Sequence, residues 1–196
     1  MDRFDPGPQP GGRAPAPGRL GYLQAFLNSF WDLERHGADL WATPGSYGAW
    51  LAARGFDPTP DSEDLATAIE LRETLRALAL ANHDGRSDPA AIGLVDRIAG
   101  RVAPHAGLVP RLGDGGGRLD PAENGPQGAL ALALGVALLA RAEGTWRRMK
   151  ACPHARCGWV FYDHSRNRSG QWCSMRICGN RTKGELFRAR RRGAPA

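Results

Sequence analysis

Cysteine is scarce and unevenly placed: the chain has four, and none occurs before residue 152. Lysine is scarcer still, with only Lys150 and Lys183, so arginine carries the positive charge. Codon usage in a GC-rich bacterial genome is the simplest source of that preference. The opening MDRFDPGPQP has no apolar segment of the kind a secretory signal carries, which argues against an oxidising compartment and against disulfides. No apolar run reaches the about 20 residues a membrane span needs; residues 129 to 140 fall short of it. The glycine run at 113 and 115 to 117 lacks the Walker spacing with Lys-Ser/Thr and has no helix opening directly behind it, so a hairpin turn explains it better than a phosphate cradle. No C-x-x-C near a βαβ pattern, no catalytic triad, no acid–base carboxylate pair and no cofactor fingerprint is present. These absences make a cytoplasmic protein that is not an enzyme the expectation.

What cysteine there is has a pattern. The pairs Cys152-x4-Cys157 and Cys173-x4-Cys178 repeat one spacing and leave no cysteine over. A thiolate pair on a tight turn presents two sulfurs to one point, and two such turns complete the tetrahedron of a closed structural zinc site. Zn²⁺ held by Cys152, Cys157, Cys173 and Cys178 is therefore expected. His154 and His164 are close in sequence, but a four-thiolate set leaves them no vacancy.

The surrounding residues resemble a known family. Cys178-Gly179-Asn180-Arg181 is the signature of the CGNR zinc finger, and Phe161, Asp163, Ser165 and Arg166, then Trp172-Cys173-Ser174-Met175, fit its flanks. In that family the finger follows an N-terminal domain called ABATE, labelled a stress-induced transcription regulator. An early Leu-Asn-Ser followed by a Trp-Leu, here from Leu27 and from Trp50, is similar to the start of that domain. The resemblance implies a regulator with a zinc finger at its C-terminal end.

Charge is divided along the chain. Residues 1–145 carry 13 Arg against 18 Asp and Glu, a net −5; residues 146–196 carry 13 Arg and Lys against Asp163 and Glu185, a net +11. That asymmetry points to a polyanion partner for the C-terminal part. The candidate nucleic-acid contacts are Arg166, Arg168, Arg176, Asn180, Arg181, Lys183, Arg188, Arg190, Arg191 and Arg192, because arginine serves both phosphate and guanine edges. Asn180 suits either a cap in the metal turn or an adenine contact, and Arg181 either the thiolate cluster or a phosphate.

Four divisions follow: a disordered Pro/Gly-rich leader over 1–19, a mostly helical domain over 20–149, the finger over 150–192, and a tail over 193–196. Apolar spacing predicts helices from Leu20, after Thr43-Pro44 with a stop at Gly55, after Pro60-Asp61, after Asp88-Pro89 and after Asn124-Gly125-Pro126. Residues 108–112 and 118–119 read as a β-hairpin. Arg72, Glu73 and Arg76 read as a solvated face, Asn28 and Asp39 as local capping groups, and Leu186 and Phe187 as packing back on the finger. The cations of residues 147–150 read as completing the last turn of the long helix. The fold class expected is α+β, mostly α, with a treble-clef-like finger behind a helical domain. DNA binding in transcription regulation is the expected function, with the larger domain as sensor or dimerisation unit. RNA binding, a protein-interaction role for the finger, or a small-molecule effector site in the larger domain are the alternatives.

Overall fold

A computed structural model describes residues 3–31, 39–113 and 116–193. In chain order the elements are α1 (Leu20–Leu27), α2 (Pro44–Ala52), α3 (Ser62–Ala81), α4 (Pro89–Val102), β1 (Leu108–Gly113), β2 (Gly116–Pro121), α5 (Pro126–Ala142), β3 (Met149–Ala151), β4 (Val160–Tyr162) and α6 (Asn180–Arg191). The class is α+β and mostly α, with two antiparallel two-stranded sheets, β1–β2 and β3–β4.

Local chemistry sets the helix ends. The Thr43 hydroxyl accepts the Ser46 N–H at 3.2 Å, and the Ser46 hydroxyl accepts the Thr43 N–H at 3.0 Å, a reciprocal cap with Pro44 behind it. Gly55 closes α2 in the left-handed region at φ 72°, where Gly55 N–H reaches Ala52 O and Phe56 N–H reaches Leu51 O. The Asp61 carboxylate caps Glu63 and Asp64 N–H at 2.8 Å each, and Asp64 answers by accepting the Asp61 N–H.

Helix α3 is the centre of the molecule, touching α1, α2, α4, α5 and β3. An aromatic cluster of Tyr22, Phe26, Trp41, Tyr47, Trp50 and Phe56 fills one side of the core, with Phe26 and Trp41 edge to face at 5.0 Å. Burial drives the Tyr22 phenol well above its ordinary value, and its hydroxyl donates to Ala129 O of α5 at 2.9 Å. Among the described residues no helix is long and apolar enough to cross a membrane.

Several side chains depart from the sequence expectation. Arg72 and Arg76 are not solvated. Arg72 is 2 % exposed and grips Asp39 with two hydrogen bonds, 2.8 and 2.5 Å, while donating to the Ser29 hydroxyl. Arg76 donates to the carbonyls of Leu27, Phe30 and Gly158. Burial lowers its pKa against the opposing pull of Glu73. Asn28 does not cap locally through its side chain but reaches Val160. The long helix ends at Ala142; residues 145–148 form a 3₁₀ turn and Lys150 lies in β3, so those cations do not complete the helix's last turn.

The leader is a further correction, for the described residues 3–19. Arg3 donates to Arg54 O and Gly55 O. Gln9 bonds the Gln24 amide and Trp159 Nε1–H, and Arg13 donates to Cys173 O and Trp172 O at 3.0 Å each. A Pro/Gly-rich strip with no core of its own is held by these polar side chains, with Ala16 buried in the helical core and Phe4 packed on it.

Candidate metal centre and basic surface

The first knuckle grows out of β3. Cys152 N–H donates to Trp159 O at 2.8 Å, Cys157 N–H to His154 O at 2.9 Å, and Gly158 releases the chain into β4. The second knuckle precedes α6. The Ser174 hydroxyl accepts the Ile177 N–H, and residues 175–179 make a π turn that runs directly into α6. The opening of a helix offers partial positive charge to nearby thiolates.

The two knuckles bring all four sulfurs within 4.8 Å of one another, with Cys157–Cys173 and Cys173–Cys178 both at 3.6 Å. A disulfide would need about 2.05 Å. Four sulfurs each about 2.3 Å from one ion would sit about 3.8 Å apart, so the set fits a tetrahedral thiolate site. Each cysteine is at most 3 % exposed. Four buried sulfurs this close disfavour one another's charge: hydrogen bonds from the Cys157 and Cys173 thiols pull Cys152 down, Cys152 in turn pushes Cys157 and Cys173 up, and burial raises Cys178. A dication would balance the four thiolates. The residues thus form a metal site by chemistry as well as by distance.

Neither histidine joins the sulfurs. His154 Nδ1 accepts the Arg156 N–H, and its Nε2 lies 3.5 Å from the Glu185 carboxylate. His164 Nε2 is 3.0 Å from Pro15 O.

The sheet beside the knuckles has two buried faces. Val160 and Tyr162 of β4, with Met149 and Ala151 of β3, enter the core of the helical domain, while Phe161 and Trp159 pack with the cysteines. That is the period-two alternation of a strand buried on both sides. The Asn28 amide completes β4 from α1: its Oδ1 accepts the Val160 N–H at 2.7 Å and its Nδ2 donates to Val160 O at 2.8 Å. Lys150 turns the other way and is 1 % exposed. It donates to the Asp163 carboxylate at 2.9 Å, to Gly170 O at 3.1 Å and to Arg168 O. Burial alone would raise the Asp163 pKa. Hydrogen bonds from Ser165, Lys150 and the Ser165 and Gly170 N–H groups outweigh burial and hold it well below the carboxylate range.

The expected nucleic-acid contacts fall on three segments of the finger. Arg166 and Arg168 lie on the loop after β4, Arg176 on the π turn, and Asn180, Arg181, Lys183, Arg188, Arg190 and Arg191 on α6, with Arg192 capping it; all ten are exposed. Among the described residues none of the nine cations is paired with a carboxylate. Leu186 and Phe187 do not pack back on the finger: they are 42 % and 61 % exposed, and no residue of α6 is buried. Sequence reasoning missed Asn28, Arg72, Arg76 and the Lys150–Asp163 pair as the joints of the structure. Their only signal was polarity inside an apolar block.

A family model described as "CGNR zinc finger" matches residues 148–191, and one described as "Putative stress-induced transcription regulator" (ABATE) matches residues 22–145. No curated protein matches the chain. With more than half of its length inside the second model, the chain belongs to the ABATE family and carries a CGNR zinc finger behind that domain.

Proposed function

We propose that Cys152, Cys157, Cys173 and Cys178 hold one Zn²⁺, and that the finger so formed binds DNA in transcription regulation in the cytoplasm, with the helical domain as sensor or dimerisation unit. The observation that carries the reading is a division of labour among cations. Arg13, Arg72, Arg76, Arg148 and Lys150 are engaged by protein oxygens. The nine cations of the 166–168 loop, the π turn and α6 face solvent without a carboxylate partner among the described residues. Arg181, Arg188 and Arg192 recur at helical spacing, a stripe interrupted only by Glu185. Cations left unpaired at this density suit a row of phosphates.

Fluorescence anisotropy with a short duplex tests it. Affinity falls steeply with salt, since each neutralised phosphate contributes about 0.9 to the log–log slope. Replacing Arg188 and Arg192 with Ala lowers that slope by about two as well as weakening binding. An unchanged slope removes α6 from the interface, and preferential displacement by structured RNA assigns the finger to RNA.

A further inference from the structure

The helical domain contains a cavity the finger does not explain. About 450 Å³ in volume and open on one side, it lies between α3, α4, α5 and β1, walled by Leu75, Ile92, Val95, Leu108, Leu134 and Leu138. That is the size of a small-molecule site. Its wall is almost wholly apolar, and its charged groups are Asp96 and Arg141. Leu138 is 61 % exposed, so apolar surface continues to the mouth.

A second, polar cleft of about 490 Å³ adjoins it and shares Leu78, Ile92, Arg141 and Trp146 as common wall. Four arginines line this cleft, Arg86, Arg141, Arg147 and Arg168, against one acidic residue, Asp88. Asp88 is already occupied in capping the Ala91 N–H, and Arg86 is paired with Asp84. Among the described residues Arg141, Arg147 and Arg168 have no carboxylate partner. Apolar walls on one side and unpaired cations on the other, with Arg141 belonging to both, match one ligand shape: an apolar tail with an anionic head.

We infer that the helical domain binds an acyl carboxylate, its hydrocarbon chain in the cavity between α3, α4, α5 and β1 and its carboxylate at Arg141 with Arg147 beyond. A nucleotide is a poor fit, because the cavity offers almost nothing to pair with a base. A cationic amphiphile would meet the guanidinium groups head on. Asp96, the cavity's other charged group, repels a carboxylate and so favours a head group that turns toward Arg141. Naming a ligand class for the sensor rests on the sensor reading above, but the binding test contains no DNA. Failure of DNA binding leaves this site standing, and failure here leaves the finger untouched.

The test is calorimetric titration of the full-length, zinc-loaded protein with dodecanoate below its micelle concentration, and with dodecyltrimethylammonium as the cationic counterpart. Dodecanoate saturates at one per chain, at least about tenfold tighter than the cation. Arg141→Glu is exposed and leaves the fold intact; it weakens dodecanoate about tenfold and reverses the preference. Val95→Trp fills the cavity and abolishes binding of both. Should that variant unfold, Leu138→Asn at the exposed mouth removes apolar surface without adding charge and weakens both without touching the core. No saturation by dodecanoate, equal affinity for the two head groups, or an unchanged affinity in Arg141→Glu overturns the proposal.

Discussion

Asn28 shows how one side chain can join two folding units. Its amide supplies β4 with both hydrogen bonds of a missing strand, and Val160 is wholly buried. Asn28→Ala leaves the buried Val160 N–H without an acceptor, while Val160 O keeps the Gln24 Nε2–H at 3.1 Å, costing about 1–3 kcal/mol; urea denaturation reads this as a lower midpoint at unchanged slope. Asn28→Asp costs more, because a carboxylate oxygen then faces Val160 O. The Lys150–Asp163 pair has a different signature. Removing either partner strands a buried charge, about 3–5 kcal/mol. Because the native Asp163 pKa lies below its unfolded value, its contribution is fully present above about pH 4 and is lost as pH falls toward the native value. The advantage of the wild type over Asp163→Asn in urea midpoints therefore shrinks below about pH 4 and is flat above it. None of these partnerships was readable in advance. Asn28 finds its partner 132 residues away and Arg72 finds Asp39 33 residues away, so no local spacing distinguishes them from solvated or capping groups.

Elements whose reasons are local were legible. The Thr43-Pro44 start, the Gly55 stop, the Asp61–Asp64 box and the β1–β2 hairpin follow from side chains within a few residues, and the structure has them all. The clustering of the four cysteines belongs here too, since two equal spacings on two tight turns leave the sulfurs little choice. Helix α6 marks the limit of such reading. Its apolar pair Leu186-Phe187 suggests a packed face, yet both stay exposed, and among the described residues the Arg191 guanidinium approaches the Phe187 ring only to 5.7 Å. A helix of 12 residues with no buried side chain depends on its anchor at the second knuckle. Hydrogen exchange of the zinc-loaded protein should show protection confined to the first turn of α6, rising along the helix when duplex DNA is added. Phe187→Ala should shift stability by no more than about 0.5 kcal/mol. Protection of free α6 equal to that of α3 would mean the helix has a covering surface that these contacts do not include.

Shared core and hydrogen bonds tie the metal site, the β3–β4 sheet and the helices together, so a single cooperative unit is expected. A finger of some forty residues has little core of its own, so ion binding supplies much of its folding free energy, about 10–16 kcal/mol in small zinc modules. Here the dependence runs further. The β3–β4 sheet puts Met149, Ala151, Val160 and Tyr162 into the helical core, each worth up to about 1.5–3 kcal/mol for the larger side chains. Arg76, Asn82 and His83 of α3 and its C-terminal turn bond carbonyls of the same C-terminal segment, at Gly158, Met149 and Ala151. Arg13 from the leader holds the second knuckle by Cys173 O and Trp172 O. Chelation should therefore not melt the finger alone. It releases β4 from Asn28, exposes the core face that β4 covered, and lowers the stability of the helices with it. Thermal unfolding followed by circular dichroism should show one transition in the zinc-loaded protein, and after EDTA a transition of the helical signal several degrees lower. If EDTA left the helical transition where it was and only added a second, earlier one, the sheet would belong to the finger alone and the shared core would not carry the load assigned to it.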